Sequence, residues 1–250
     1  MILAHDEAGH GPAVVLLHST ACDRRMWDPQ MPVLASAGVR AVRGDFRGFG
    51  ETPAADRPYD DARDVVDVLE GVERFALIGS SGGGAVALEI AARWPSRVTA
   101  LALLCTALPG SEPGPERRAF GEREDALLAA GDIAGATELN VQTWLGPHAD
   151  EQTRAAVRTQ QRRAFEVQMT APEVDSASPG FDLSAITAPA LLISGAHDLP
   201  DFREIAASLA GRLPGARHVE LDWAGHLPSM ERPERVNPLL LDFLTGPGAR

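Results

Sequence analysis

Short apolar runs recur along this chain, and most are separated by room for one helix. Ala13–Leu17 reads AVVLL behind a Gly-Pro pair, 75–78 reads FALI and ends at Gly79, and 98–105 is almost continuously apolar. Residues 190–193 read ALLI and end at Ser194-Gly195, while 39–46 and Arg217–Leu221 alternate apolar with charged side chains. Runs this short, closed by Gly or Pro, read as strands, and the fully apolar ones as strands covered on both faces. Helical patterns lie between them. Residues 29–37 follow Asp28 as an expected N-cap. Residues 61–69 set Val65, Val66, Val68 and Leu69 to one side. Residues 82–93 are Ala-rich and stop before Trp94-Pro95, and 202–213 stops before Pro214-Gly215. A last helix is expected over 233–243, with Pro238 predicting a break or kink inside it. Strands alternating with helices predict a mostly parallel sheet with helices on both faces, an α/β fold.

The rhythm breaks between 108 and 187. That stretch opens with a Pro- and Gly-rich loop, continues through helical patterns at 116–130, 133–145 and 151–169, and closes with a second loop at 172–179. It reads as a helical cap or lid (108–187) inserted between two sheet strands of a core domain formed by 1–107 and 188–250. Its aromatic residues Phe120, Trp144 and Phe165, with Met169, are expected either to line an apolar pocket or to glue lid helices to the body. Helical spacing favours the second role.

Charge and composition remove several function classes. The net charge is -12, from 35 acidic and 23 basic residues. An acidic surface repels phosphate backbones, so no nucleic-acid partner is expected. No polybasic segment or bilayer-length apolar run is present, so no membrane partner is expected. All the basic residues are Arg. Without Lys, a phosphate-binding loop of the G-x-x-x-x-G-K-[ST] kind, a Schiff-base nucleophile and a Ser–Lys dyad are excluded. Cys22 and Cys105 are too few for a disulfide framework or a four-cysteine zinc site, and the expected metal is none. No charged segment precedes an apolar one at Met1, so no signal peptide is read and the expected location is cytoplasmic.

One motif carries chemistry. Gly79-Ser80-Ser81-Gly82-Gly83 matches G-x-S-x-G, with a strand pattern before it and a helical pattern after it. A sharp turn in that context lifts a serine hydroxyl above the sheet edge. A serine hydroxyl is a weak nucleophile and needs a base. Asp198 follows the strand at 190–193, and His226 follows the strand at Arg217–Leu221, in the order Ser, acid, His. Ligands of parallel α/β sheets bind at these C-terminal strand ends. Asp201 is the competing acid, three residues along the same loop. His218 lies inside a strand and reads as structural, and His197 reads as a loop support. Cys22 has no His placed beside it and is a poor nucleophile candidate.

With these residues the chain resembles the α/β-hydrolases, in particular their small serine esterase and lactonase group, over nearly its whole length. His18-Ser19-Thr20 resembles that family's oxyanion segment, and Asp45-Phe46-Arg47-Gly48-Phe49-Gly50 resembles its D-x-R-G-x-G loop. Ala224-Gly225-His226-Leu227-Pro228-Ser229-Met230-Glu231 resembles its catalytic-His segment, and Arg25-Met26-Trp27-Asp28-Pro29-Gln30 is similar to the 3-oxoadipate enol-lactonases. The resemblance implies a Ser81–His226–Asp198 triad, backbone N–H groups of Thr20 and Gly82 as an oxyanion hole, and no cofactor. Serine at the elbow argues against haloalkane dehalogenases and most epoxide hydrolases.

Three departures carry expectations. Ser19 replaces the family's usual Gly, which bears on local backbone geometry. Gly82 follows the nucleophile where a larger residue is common, so extra room is expected beside Ser81. The short N-terminus suggests a missing or reduced first edge strand. Trp27 and Cys22, just past the oxyanion segment, are expected to face the pocket. The expected activity is hydrolysis of a small to medium carboxylic ester or lactone through an acyl-enzyme. The alternatives are a thioesterase or C–C bond hydrolase, or a ligand-binding protein without turnover. The expected partner is a small acyl substrate, and the chain a monomer or homodimer.

Overall fold

The computed structural model describes residues 3–175 and 177–246. Met1 and Ile2, read above for a leader, and Ser176, within the loop at 172–179, lie outside the described residues.

Seven strands form one sheet among the described residues: β1 (His5–Ala8), β2 (Ala13–Leu17), β3 (Arg40–Gly44), β4 (Phe75–Ser80), β5 (Val98–Leu104), β6 (Ala190–Gly195) and β7 (Arg217–Leu221). Their order is β1-β3-β2-β4-β5-β6-β7, with β1 antiparallel to β3 and every other pair parallel. The first edge strand is therefore present, though only four residues long.

The sheet is covered on both faces because its central strands carry continuous apolar runs. Leu77 packs into one core with Leu101, Leu192, Leu88 and Ile90. Its neighbour Ile78 packs into the other with Leu104, Ile193, Trp27 and Val236. Consecutive side chains of a strand point to opposite faces, so a continuous apolar run feeds two cores.

The helices are α1 (Met31–Ser36), α2 (Asp61–Val68), α3 (Gly82–Arg93), α4 (Pro115–Ala129), α5 (Ile133–Trp144), α6 (Glu151–Gln168), α7 (Pro200–Ala210), α8 (Pro228–Glu231) and α9 (Pro233–Thr245). The expected start of α1 is corrected. A 3-10 turn, Arg24–Trp27, capped by the Asp23 side chain, comes first, and Asp28 closes that turn. The helix proper follows Gln30, which makes no side-chain cap bond. Helix α9 runs through Pro238 without a break. Pro238, the sixth residue of the helix, leaves the carbonyl of Glu234 without its intrahelical N–H partner. Helices α4, α5 and α6 run between β5 and β6. No helix among the described residues is long and apolar enough to cross a membrane.

Candidate active site

The strand order reverses at β2, whose neighbours are β3 and β4. The C-terminal ends of β2, β4, β6 and β7 carry Thr20, Ser81, Asp198 and His226 into one region, the place where such sheets bind ligands.

Ser81 sits at φ 52° and ψ -118°, a conformation that L side chains rarely adopt. Its surroundings over-determine it. Ser81 N–H donates to Leu104 O (3.0 Å), and Ser81 O accepts from Gly84 N (2.9 Å), Ala85 N (3.2 Å) and Ala107 N (3.0 Å). The flanking glycines are required by close approach. A Cβ on Gly79 would fall 2.6 Å from Gly83 O, and one on Gly83 would fall 2.4 Å from both Leu17 O and His18 O. The expected room beside Gly82 is not there: a Cβ on Gly82 would fall 2.7 Å from Thr20 Cγ2. The threonine methyl fills the space that a larger residue at 82 would take.

His226 and Asp198 are 1% and 6% exposed, and His226 Nδ1 lies 2.7 Å from Asp198 Oδ2. A carboxylate accepts, so Nδ1 is the nitrogen that donates, and Nε2 is the one turned away from Asp198. Asp198 Oδ1 accepts from Leu199 N (2.7 Å), which fixes the carboxylate plane. The rival acid is spoken for elsewhere: Asp201 Oδ1 accepts from Gly114 N (2.7 Å) at the head of α4. His218 Nε2 pairs with Ser194 Oγ (2.8 Å) within the sheet, and His197 lies exposed, its backbone N–H donating to Ala224 O (2.9 Å).

The His226 loop is clamped by a residue whose role sequence reasoning missed. Glu231 accepts from Gly225 N (3.0 Å) and from Gly146 N (3.2 Å), just past α5, while His226 N–H donates to Trp144 O (2.8 Å). Gly195, Gly225 and Gly146 stack so closely that a Cβ on any of them would meet a neighbouring atom within 2.6 Å. Burial pushes the Glu231 carboxyl up, against the backbone N–H groups that favour its charge. Cys105, just past β5, sits at φ 45°. Its thiol is pushed well up, first by burial and then by Asp198, so it stays neutral beside the imidazole. Cys105, Asp198 and His226 place donor atoms within 4.8 Å of one another, the one set among the described residues that could hold a metal ion. A cation there would compete with the Nδ1–Asp198 hydrogen bond.

The segment His18-Ser19-Thr20 is held from both sides. His18 is fully buried, and burial pushes its pKa down. The neutral ring donates from Nδ1 to Ser19 O (2.8 Å) and accepts at Nε2 from Phe46 N (3.0 Å). Ser19 is not among the positive-φ residues, so the absent glycine costs no backbone strain here. The D-x-R-G-x-G loop is braced by Asp45, which accepts from Arg24 N (2.8 Å) and Glu51 N (2.9 Å). Gly50, at φ 52°, leaves no room for a Cβ beside that carboxylate.

From the other side, α6 supplies two adjacent buried glutamines. Gln160 Oε1 accepts from Asp23 N (3.1 Å), and the Gln161 amide nitrogen donates to Thr20 O (3.2 Å) and Ala21 O (3.1 Å). Both lie in the buried stripe Val157, Gln160, Gln161, Ala164, Phe165. Two amides in an otherwise apolar stripe were the signal available in the sequence.

Ser81, Gly82, Thr20 and His226 line one cavity of about 640 Å³, together with Phe120, Trp144 and Phe165. The Trp144 ring lies 4.6 Å from that of His226 and 4.6 Å from that of Phe120. Phe202, unnoticed in the sequence, lies 4.2 Å from the His226 ring. Trp27 is corrected. The 3-10 turn rotates it into the core, where it is wholly buried, with its Nε1 unpartnered, and it does not line the cavity. Cys22 is likewise in the core, its thiol 3.7 Å from Met230 Sδ and pushed up by burial. Met169 is 49% exposed and lies outside the cavity wall.

This arrangement of sheet, elbow and loop ends is that of a hydrolase built on an α/β sheet. The model of the Alpha/beta hydrolase family matches residues 14–239, and the chain belongs to that family. It is 32% identical to the provisionally named carbamate hydrolase RutD of Variovorax paradoxus over 257 residues, covering 94% of each chain. It is 28% identical over 262 residues to the 2-hydroxy-6-oxononadienedioate/2-hydroxy-6-oxononatrienedioate hydrolase of Paraburkholderia phymatum, covering 96% of this chain and 90% of that one. Among solved structures it is similar to the enol-lactonase of Burkholderia xenovorans, with a TM-score of 0.79 at 28% identity, covering 97% of this chain and 96% of that one.

Proposed function

We propose that this chain is a serine hydrolase that cleaves a small to medium carboxylic ester or lactone. The observation that carries the reading is the buried His226–Asp198 pair at 2.7 Å, whose imidazole lines one cavity with a serine held at a strained elbow. In this reading His226 Nε2 takes the proton of Ser81 as Oγ attacks the carbonyl, and Asp198 stabilises the imidazolium. The oxyanion forms against the N–H groups of Gly82 and Thr20, a contribution of roughly 3–4 kcal/mol to the barrier for each donor. The imidazolium returns its proton to the leaving oxygen, and water activated by the same base releases the acyl group. Helices α4 to α6 act as the cap that closes the cavity over the acyl part. The likeness to an enol-lactonase supports an ester or lactone as the substrate.

A fluorophosphonate probe tests this directly, read by intact and peptide mass. A single adduct on Ser81, absent from Ser81→Ala, followed by turnover in an ester and lactone screen, is the expected result. No adduct on the folded wild-type protein overturns the reading in favour of a ligand-binding protein.

A further inference from the structure

Three charged side chains besides His226 line the cavity: Arg47, Arg117 and Glu124. Two are satisfied by the fold. Arg47 makes paired bonds to Asp64, Nε to Oδ2 at 2.6 Å and Nη2 to Oδ1 at 2.9 Å. Glu124 accepts from Asn140 Nδ2, and burial pushes its carboxyl up, which weakens its opposition to a nearby anion. Arg117 has no such match. Its Nη1 is buried with no hydrogen-bond partner, and it makes no ion pair among the described residues.

A buried guanidinium donor left unpaired is costly. This chain has 35 carboxylates against 23 basic residues, so acidic partners are not scarce. Position explains the vacancy better than composition does. Arg117 Cζ lies 5.4 Å from the centre of the Phe202 ring, whose centre lies 4.2 Å from that of His226. The guanidinium is therefore no more than about 10 Å from the base, parked over an aromatic face. A stacked guanidinium keeps its in-plane N–H edge for a planar acceptor, and a carboxylate is the acceptor that fits it best. Glu124 is seven residues further along α4, roughly 10 Å by helical rise, so the two charges lie at different points of the wall.

We propose that Arg117 is a specificity-determining residue that binds a carboxylate on the substrate, a short chain away from the scissile carbonyl. The substrate class is the half-ester of a short dicarboxylic acid, of about the span of succinate or glutarate. This inference rests on the serine-hydrolase reading for the reaction, while the anion site itself stands on Arg117.

The test compares 4-nitrophenyl hydrogen glutarate with neutral 4-nitrophenyl hexanoate on wild type, Arg117→Met and Arg117→Lys. Wild type favours the glutarate half-ester in kcat/KM by at least about tenfold. Arg117→Met removes that preference, chiefly through KM for the anionic ester, and Arg117→Lys keeps part of it. Equal rates on the two esters in wild type, or a preference that survives Arg117→Met, overturn the proposal. A second measurement separates this failure from that of the hydrolase reading. Monomethyl glutarate is titrated calorimetrically into Ser81→Ala and into the Ser81→Ala, Arg117→Met double variant. Binding to the first and not the second upholds the anion site even where no ester is turned over, and equal or absent binding to both overturns it.

Discussion

Helices α3 and α4 both turn residues toward the same cavity, yet they are held in opposite ways. Eight of the twelve residues of α3 are buried, among them Gly83, Gly84, Leu88 and Ile90. None of the fifteen residues of α4 is buried. Helix α3 is pressed against β2 and β5 closely enough that side-chain size is dictated at Gly83 and Gly84. Helix α4 rests on a few points: Gly114 N on Asp201 at its head, the Phe120 ring on Trp144, and Glu124 on Asn140. The difference separates two jobs. The helix that positions the candidate nucleophile is part of the core and cannot move without unfolding it. The helix that sets Arg117 and Phe120 on the cavity wall is a surface element, free to differ in sequence at low cost to the fold.

The largest expected effect breaks α3. Gly83→Ala drives a methyl to 2.4 Å from the backbone oxygens of Leu17 and His18 at the end of β2, and backbone cannot step aside as a side chain can. Destabilisation of about 3 kcal/mol or more is expected, read as a fall in the denaturant midpoint. A variant of wild-type stability would show that α3 is not locked against β2.

Next in size is local opening. The core amides of α3 are expected to exchange hydrogen at least about a hundredfold more slowly than the middle of α4. Equal protection would mean that α4 is held by more than the contacts described, and the division of labour between the helices would fall.

The same contrast explains how much could be read from sequence. The bounds of α3 follow from its own residues: the Gly-rich start, the Ala-rich body and the stop at Trp94-Pro95 coincide with Gly82–Arg93. The strands were legible because burial on both faces writes itself as continuous apolar runs. The candidate triad was legible because each member sits at a strand end. What escaped was set by tertiary contact. Trp27 is near Thr20 in sequence, but a 3-10 turn capped by Asp23 carries it into the core. The room expected at Gly82 depends on a methyl from another loop. Glu231, Gln160 and Gln161 act through hydrogen bonds across long sequence separations, which no local pattern encodes. Arg117 is recognisable only by the partner it lacks.

A smaller effect separates the outer flank of α3 from α4 by pH. Asp61, at the start of α2 and facing Asp64 and Glu89, has its carboxyl raised to about 7, chiefly by burial. A carboxyl raised in the folded state binds a proton that the unfolded chain releases. Its penalty is therefore full above pH 7 and is relieved as pH falls from about 7 toward 4. Asp61→Asn is expected to raise Tm by a few degrees at pH 8 and by clearly less at pH 5. An equal gain at both pH values would place the effect in packing and not in ionisation.

The smallest effect is the counterpart of the first and tests the comparison most finely. Gly121 lies in the middle of α4, lines the cavity, and has nothing within 4 Å of where a Cβ would sit. An unburied helix gains from Ala over Gly because the unfolded chain loses freedom and no neighbour is displaced. Gly121→Ala is expected to stabilise the protein by about 0.5–1 kcal/mol, opposite in sign to Gly83→Ala, although both are glycines in helices on one cavity. Its methyl also enters the space between Arg117 and Glu124. If that space holds the chain of a half-ester, KM for 4-nitrophenyl hydrogen glutarate rises while stability improves. A loss of stability would mean that α4 packs more tightly than its exposure implies, and the distinction between a locked helix and a tolerant one would have to be redrawn.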